Sequence, residues 1–213
     1  MLNDEVVAAI DKIAHRQNLT RSALVNRVLA EYASVLTPEQ RISDIFSYME
    51  RFFDDTGDIV PQMMSNQQTM SLKSSLDYKY RPTVRYEVEL ERNAGESIGS
   101  ISVIFRTQSG ELLSDMITFF RLWKKLEDTY LPKVKGTADG ENDVTYELYD
   151  NRFIRTISLP KDRNYTSDSI ADAISSYINM FDRIMKEYLS GRMTVEDVER
   201  TYLKYLEKGT GII

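Results

Sequence analysis

The chain has 213 residues, with 27 basic and 33 acidic side chains, one histidine, no cysteine and a formal net charge of −6. That length holds one large or two small domains with a buried core. The missing cysteine removes disulfides, thiolate metal sites and thiol nucleophiles, and suits a reducing cytoplasm. The acidic balance excludes a protein that coats nucleic acid broadly, so any DNA contact must be local. No apolar run is long enough to cross a bilayer, and the start lacks the basic-then-apolar order of a signal peptide. A cytoplasmic chain with no membrane partner and no resident cofactor is expected.

Apolar residues at Val6, Ile10 and Ile13, joined by Val7 and Ala14, give the spacing of one helix face. After a break at Gln17-Asn18-Leu19, Thr20 supplies an N-cap, and Leu24, Val28, Leu29 and Tyr32 repeat the pattern. Two short amphipathic helices with so tight a link cannot bury both apolar faces alone. They need a partner, most simply a second copy of the same chain. His15, late in the first helix, reads as an ordinary helix residue. The segment Met1–Leu36 is electrically neutral, with Lys12, Arg16, Arg21 and Arg27 against Asp4, Glu5, Asp11 and Glu31.

The runs Leu-Asn-Asp-Glu-Val-Val, Ile10-Asp11-Lys12-Ile13-Ala14 and Thr20-Arg21-Ser22-Ala23-Leu24-Val25 resemble the helical part of the ribbon-helix-helix family of DNA-binding regulators, of the CopG, Arc and MetJ type. The resemblance covers residues 1–36 and implies a homodimer. In that family a two-stranded ribbon lies in the DNA major groove, and the start of the second helix grips a phosphate. The strand of that ribbon would occupy about six to eight residues before Leu2. What the resemblance implies here is a dimer interface of Val6, Ile10, Ile13, Leu24, Val28, Leu29 and Tyr32. Thr20, Arg21 and Ser22 would contact DNA, because the first amides of a helix are unpaired and carry the positive end of its dipole. Asn26 and Arg27 face away from the Leu24/Val28 side, toward DNA backbone or solvent, and are counted with that DNA-binding set.

Thr37-Pro38-Glu39-Gln40 starts a third helix, with a threonine cap and proline at the first helical position. It is expected to run to Phe53 and to bury Ile42, Ile45, Phe46, Met49 and Phe52/Phe53, until Asp54-Asp55-Thr56-Gly57-Asp58 breaks it. Gln62–Ser75, rich in Met, Gln, Ser and Asn, has no clear period and reads as a spacer.

From Asp77 the period becomes two. Val84, Tyr86, Val88 and Leu90 alternate with Arg85, Glu87 and Glu89, which predicts a half-buried strand over Thr83–Leu90. Asn93-Ala94-Gly95-Glu96 predicts a turn, and Ile98–Phe105 a return strand with Ile101, Val103 and Phe105 inward. A helix over Glu111–Leu131 follows, carrying Leu113, Ile117, Phe120, Trp123 and Tyr130, with Pro132 as its stop. A second hairpin covers Val144–Tyr149 and Phe153–Leu159 around Asp150-Asn151. Ser167–Leu189 then places Ile170, Ile174, Tyr177, Phe181, Ile184 and Tyr188 on a narrow seam. The two helices align, Phe119–Leu131 with Tyr177–Leu189, which suggests an internal duplication. A last helix from Thr194, with Asp197 at capping-box spacing, carries Val198, Tyr202, Tyr205 and Leu206.

The expected fold is therefore α+β, with three segments. Residues 1–36 form a helix-turn-helix pair of ribbon-helix-helix type, and residues 37–76 a helix and spacer. Residues 77–213 form a ββαββα domain, a four-stranded antiparallel sheet with two helices and a C-terminal helix. No nucleophile–base pair or phosphate loop is recognisable. Asp139, Glu141, Asp143, Thr145, Glu147 and Asp150 fall at calcium-loop offsets, but Val144 stands where the sharp turn demands glycine, so no metal is assigned. A dimeric DNA-binding regulator, either a transcriptional repressor or a binder of a plasmid site, is the expected function. One rival is a dimeric scaffold or antitoxin-like module whose C-terminal domain binds another protein. An enzyme is the weakest reading, for want of a titratable cluster.

Overall fold

A computed structural model describes residues 3–33, 35–62, 68–77, 81–92, 97–135, 143–160 and 165–213. The chain divides into two compact units, residues 1–41 and 42–213.

The first unit contains helices α1 (Asp4–Arg16) and α2 (Arg21–Tyr32) and the first turn of α3 (Pro38–Thr56). Local chemistry sets each boundary. Asn3 caps α1 by accepting the Glu5 amide at 2.8 Å. Asn18, at a left-handed φ of 57°, turns the chain out of it; asparagine tolerates that conformation better than most residues. Thr20 then caps α2 through the Ala23 amide at 3.2 Å, as the cap rule requires.

The second unit carries a six-stranded antiparallel sheet in the order β1-β2-β3-β4-β6-β5. The strands are β1 (Ile59–Gln62), β2 (Thr69–Ser75), β3 (Thr83–Leu90), β4 (Gly99–Phe105), β5 (Tyr146–Tyr149) and β6 (Arg152–Ile157). Register puts Met70, Leu72, Val84, Tyr86, Val88, Ile101, Val103, Phe105, Phe153 and Arg155 on one face. Helices α4 (Gly110–Lys135) and α5 (Ser167–Leu189) cover that face, through Phe120 on Phe105 and Phe153 and through Phe181 on Tyr86. Helix α6 (Val195–Glu207) adds Tyr202 against Trp123 and has the capping box expected at Thr194 and Asp197.

Three expectations are corrected. The sheet has six strands rather than four, because the stretch read as a spacer, Gln62–Ser75, supplies β2 and the residues just before it supply β1. Its signal was masked: Pro61 argues against a strand except at a sheet edge, and inward-facing Ser74 breaks the apolar alternation of β2. Pro132 does not stop α4, which runs one further turn to Lys135. The Lys135 ammonium ties that turn to Asp143 at 2.8 Å and to the Ser158 carbonyl at 3.1 Å. Finally, α4 turns a slightly different side inward, so that Leu112, Met116, Phe119 and Glu127 are buried while Leu113, Ile117 and Tyr130 are only half-buried. The turn expected at residues 93–96 lies outside the described residues.

The internal duplication gains a structural correlate. The order β3-β4-β6-β5 sets the second strand of each hairpin side by side, as a two-fold-related pair of ββα units would. The ring contacts follow suit: Phe119–Phe181 and Tyr177–Trp123 exchange under the helix alignment, and Trp123–Phe181 maps onto itself.

Candidate nucleic-acid interface

In the first unit, Ala14 and Leu24 close the contact between α1 and α2, each about 3% exposed. Leu24 is therefore covered within a single chain, and Ile10 is half-buried. The other residues of the expected dimer face remain open: Val6, Ile13, Val28 (53%), Leu29 (59%) and Tyr32 (90%). Val35 and Leu36, outside that expected set, are open too. A two-helix unit has no second layer on which to turn these side chains, so they stay in water.

Of the expected DNA contacts, Thr20 is spent on its cap, while Ser22 and Asn26 are exposed. Arg21 reaches back to α1, where its Nε donates to Asp11 Oδ1 at 2.6 Å and its terminal nitrogen to Oδ2 at 2.5 Å. These hydrogen bonds hold the Asp11 carboxyl below its ordinary range and push Arg21 higher. Arg27 likewise folds back, onto the Gln17 carboxamide. Both arginines of α2 thus fold back, Arg21 onto α1 and Arg27 onto the link that follows it, and the charge of Arg21 is locally cancelled. Spacing placed Arg21 correctly at the helix start but gave no sign of its partner on α1.

The second unit holds two polar constellations that sequence reading missed. The first is buried. Arg155, inward on β6, donates Nε to Glu127 Oε2 at 2.9 Å, and its other nitrogens to the Thr156 and Gly211 carbonyls. Its guanidinium lies 4.4 Å from the centre of the Tyr177 ring, and Trp123 Nε1 donates to the Tyr177 hydroxyl at 3.0 Å. Burial raises the Tyr177 and Tyr202 phenols, reinforced by the Glu127 charge. Burial opposes the charge on Arg155, but the Glu127 charge, the Tyr177 and Tyr146 phenols and the hydrogen bond to Glu127 together outweigh it and keep the guanidinium protonated. Glu127 Oε1 and the Tyr202 hydroxyl, both buried, have no hydrogen-bond partner among the described residues.

The second constellation is open. A cleft of about 600 Å³ is lined by the end of α3, the end of β2, the start of α4, the polar side of α5 and the turn after it. Buried Asp182 sits in its lining, accepting from the Tyr86 phenol at 2.8 Å and paired with Lys186 at 2.6 Å. Burial, then the Asp182 charge, pushes the Tyr86 phenol well above its ordinary value. The signal available in the sequence was the i, i+4 pair Asp182/Lys186 beside the apolar seam of α5.

The Asp143 carboxylate is held by Lys135 and Ser158, while Asp139 and Glu141 lie outside the described residues. Among the described residues no helix is long and apolar enough to cross a membrane. Comparison with protein-family models, curated proteins and solved structures returned no match.

Proposed function

We propose that the chain is a dimeric DNA-binding regulator, a transcriptional repressor or a binder of a plasmid or mobile-element site, acting in the cytoplasm. The observation that carries this reading is the apolar side of α1 and α2 left in water at Val6, Ile13, Val28, Leu29 and Tyr32. A second copy set against these residues removes them from solvent, at about 25 cal/mol per Å² of apolar area. It also presents two α2 N-termini, each capped by Thr20, to a DNA backbone. The amides of Arg21 and Ser22 hold phosphate oxygens there, with Asn26 and Arg27 beside them. Arg21 can exchange Asp11 for a phosphate at little cost, because water screens an ion pair between exposed side chains. In the family that the first 36 residues resemble, a ribbon ahead of the first helix reads the bases, while phosphate contacts set the register.

The Arg21–Asp11 pair also favours a second reading: a dimeric scaffold, whose second unit binds another protein and which makes no specific DNA contact. One experiment separates the two. The parent and Leu29→Glu are sized by light scattering, then offered a randomised pool of DNA duplexes at rising salt. The regulator reading expects a parental dimer that enriches particular duplexes, with log K falling linearly against log salt, and a monomeric Leu29→Glu that enriches none. A parental dimer that retains no duplex at about 50 mM salt is the scaffold. A parental monomer overturns both.

A further inference from the structure

The two arginines of α2 are held in different ways. Arg27 donates to the Gln17 carboxamide, a neutral acceptor that leaves its charge uncancelled. Arg21 donates from Nε and from a terminal nitrogen to both oxygens of Asp11 on α1, at 2.6 and 2.5 Å. That is the forked edge by which a guanidinium also takes two phosphate oxygens. Asp11 is fully charged at neutral pH, since its bonds to Arg21 hold the carboxyl below the ordinary range. The Arg21 and Asp11 side chains are 55% and 45% exposed, so the pair lies in water, open to a competitor.

We propose that Asp11 is an internal competitor for DNA phosphate. It occupies the forked edge of Arg21 in the free protein and must be displaced before that edge takes a phosphate. This role rests on the DNA reading of the first unit, whose affinity it regulates. A carboxylate and a pair of phosphate oxygens cannot share one edge, and an Asp11 freed beside the DNA backbone is repelled by it. Water screens each exchange, but a dimer makes two of them, and their effects multiply. The Arg27–Gln17 contact carries no such opposition, because a carboxamide neither cancels an arginine nor repels DNA. Arg27 therefore attracts a duplex from the first encounter, while Arg21 engages only a phosphate seated closely enough to replace Asp11.

The test measures the affinity of the full chain for duplexes that the parent or Asp11→Asn enriches from a randomised pool. Salt is kept at about 50 mM, where weak complexes are retained. Asp11→Asn keeps the shape of the side chain and removes its charge, with circular dichroism and light scattering checking fold and dimer. It should bind roughly tenfold more tightly than the parent, about threefold at each of two sites. The gain should vanish in an Arg21→Ala background, as a double-mutant cycle requires of coupled groups. Glu5→Gln removes the same charge from an exposed position of the same helix and should give little of the gain. The proposal is overturned if Asp11→Asn binds no more tightly, if its gain survives without Arg21, or if Glu5→Gln matches it. A weaker Asp11→Asn would mean that Asp11 orients Arg21 rather than competing for it. Parent and Asp11→Asn both retaining no duplex would overturn the DNA reading as well, whereas a parent that binds while Asp11→Asn gains nothing removes the competitor alone.

Discussion

Removing one partner of the buried Arg155–Glu127 pair should be among the most damaging single changes in the chain. Both side chains are essentially inaccessible, at 1% and 0% exposure, and the contact is 2.9 Å. At an effective dielectric constant of about 20, two unit charges that close attract by about 6 kcal/mol. Desolvating the two ions costs several kcal/mol each, so the net worth of the intact pair is small. Breaking it is another matter. Among the described residues, Glu127→Leu leaves a buried guanidinium with the Thr156 and Gly211 carbonyls and the Tyr177 ring. Such an uncompensated charge costs about 3–5 kcal/mol, a large share of the 5–15 kcal/mol by which a protein is typically stable.

Arg155→Met should cost a similar amount, because it strands the Glu127 carboxylate beside the buried Tyr177 and Tyr202. The double variant should recover most of either loss, since both charges leave together. Urea unfolding followed by the fluorescence of Trp123 measures all three variants. It is the only tryptophan of the chain and donates to the Tyr177 hydroxyl within the same cluster, so it reports locally, while circular dichroism reports globally. With an m-value of about 2 kcal/mol/M, each single change should lower the midpoint by roughly 2 M. A single variant within about 1 kcal/mol of the parent would refute this accounting. So would a double variant that loses the sum of the two singles, for then the charges are not coupled.

Two further outcomes follow from the packing. The phenols of Tyr86, Tyr177 and Tyr202 are all raised, chiefly by burial, so above pH 10 the folded chain holds protons that the unfolded chain releases. Each contributes a loss of about 1.4 kcal/mol per pH unit, roughly 4 together; Lys135, lowered by burial, opposes them only until the unfolded lysine titrates. Urea midpoints should therefore fall steeply between about pH 10 and 11, and a flat or rising profile would exclude this arrangement of buried phenols. Gly99→Ala should destabilise by about 3 kcal/mol or more, because a Cβ there would sit 2.0 Å from the Glu89 carbonyl of the neighbouring strand; near-parental thermal stability would mean that β3 and β4 separate more easily than their register implies.

What could be read from the sequence divides by the kind of force involved. Apolar periodicity located β3 and α5 at their observed ends, because burying Val84, Tyr86, Val88 and Leu90, or the Ile170–Ile184 seam, is decided by spacing alone. The same logic, run to its end, left the first two helices short of a partner, and their exposed Val28, Leu29 and Tyr32 embody that shortfall. Where polar side chains carry the structure, spacing is silent. Ser71 and Ser74 are buried in β2, and nothing about a serine announces that it will be covered. Nothing in the spacing of α4 marks Glu127 as an inward residue, because an isolated carboxylate belongs in water. It is buried because Arg155, 28 residues later on β6, reaches it. The cleft is a further case, since Asp58, Asp77 and Arg183 in its lining come from three separate segments and make no pattern in the chain. Charge pairing depends on which segments meet, so it becomes legible only once the hydrophobic pattern has fixed the fold. That is why the buried polar contacts were the ones the sequence concealed.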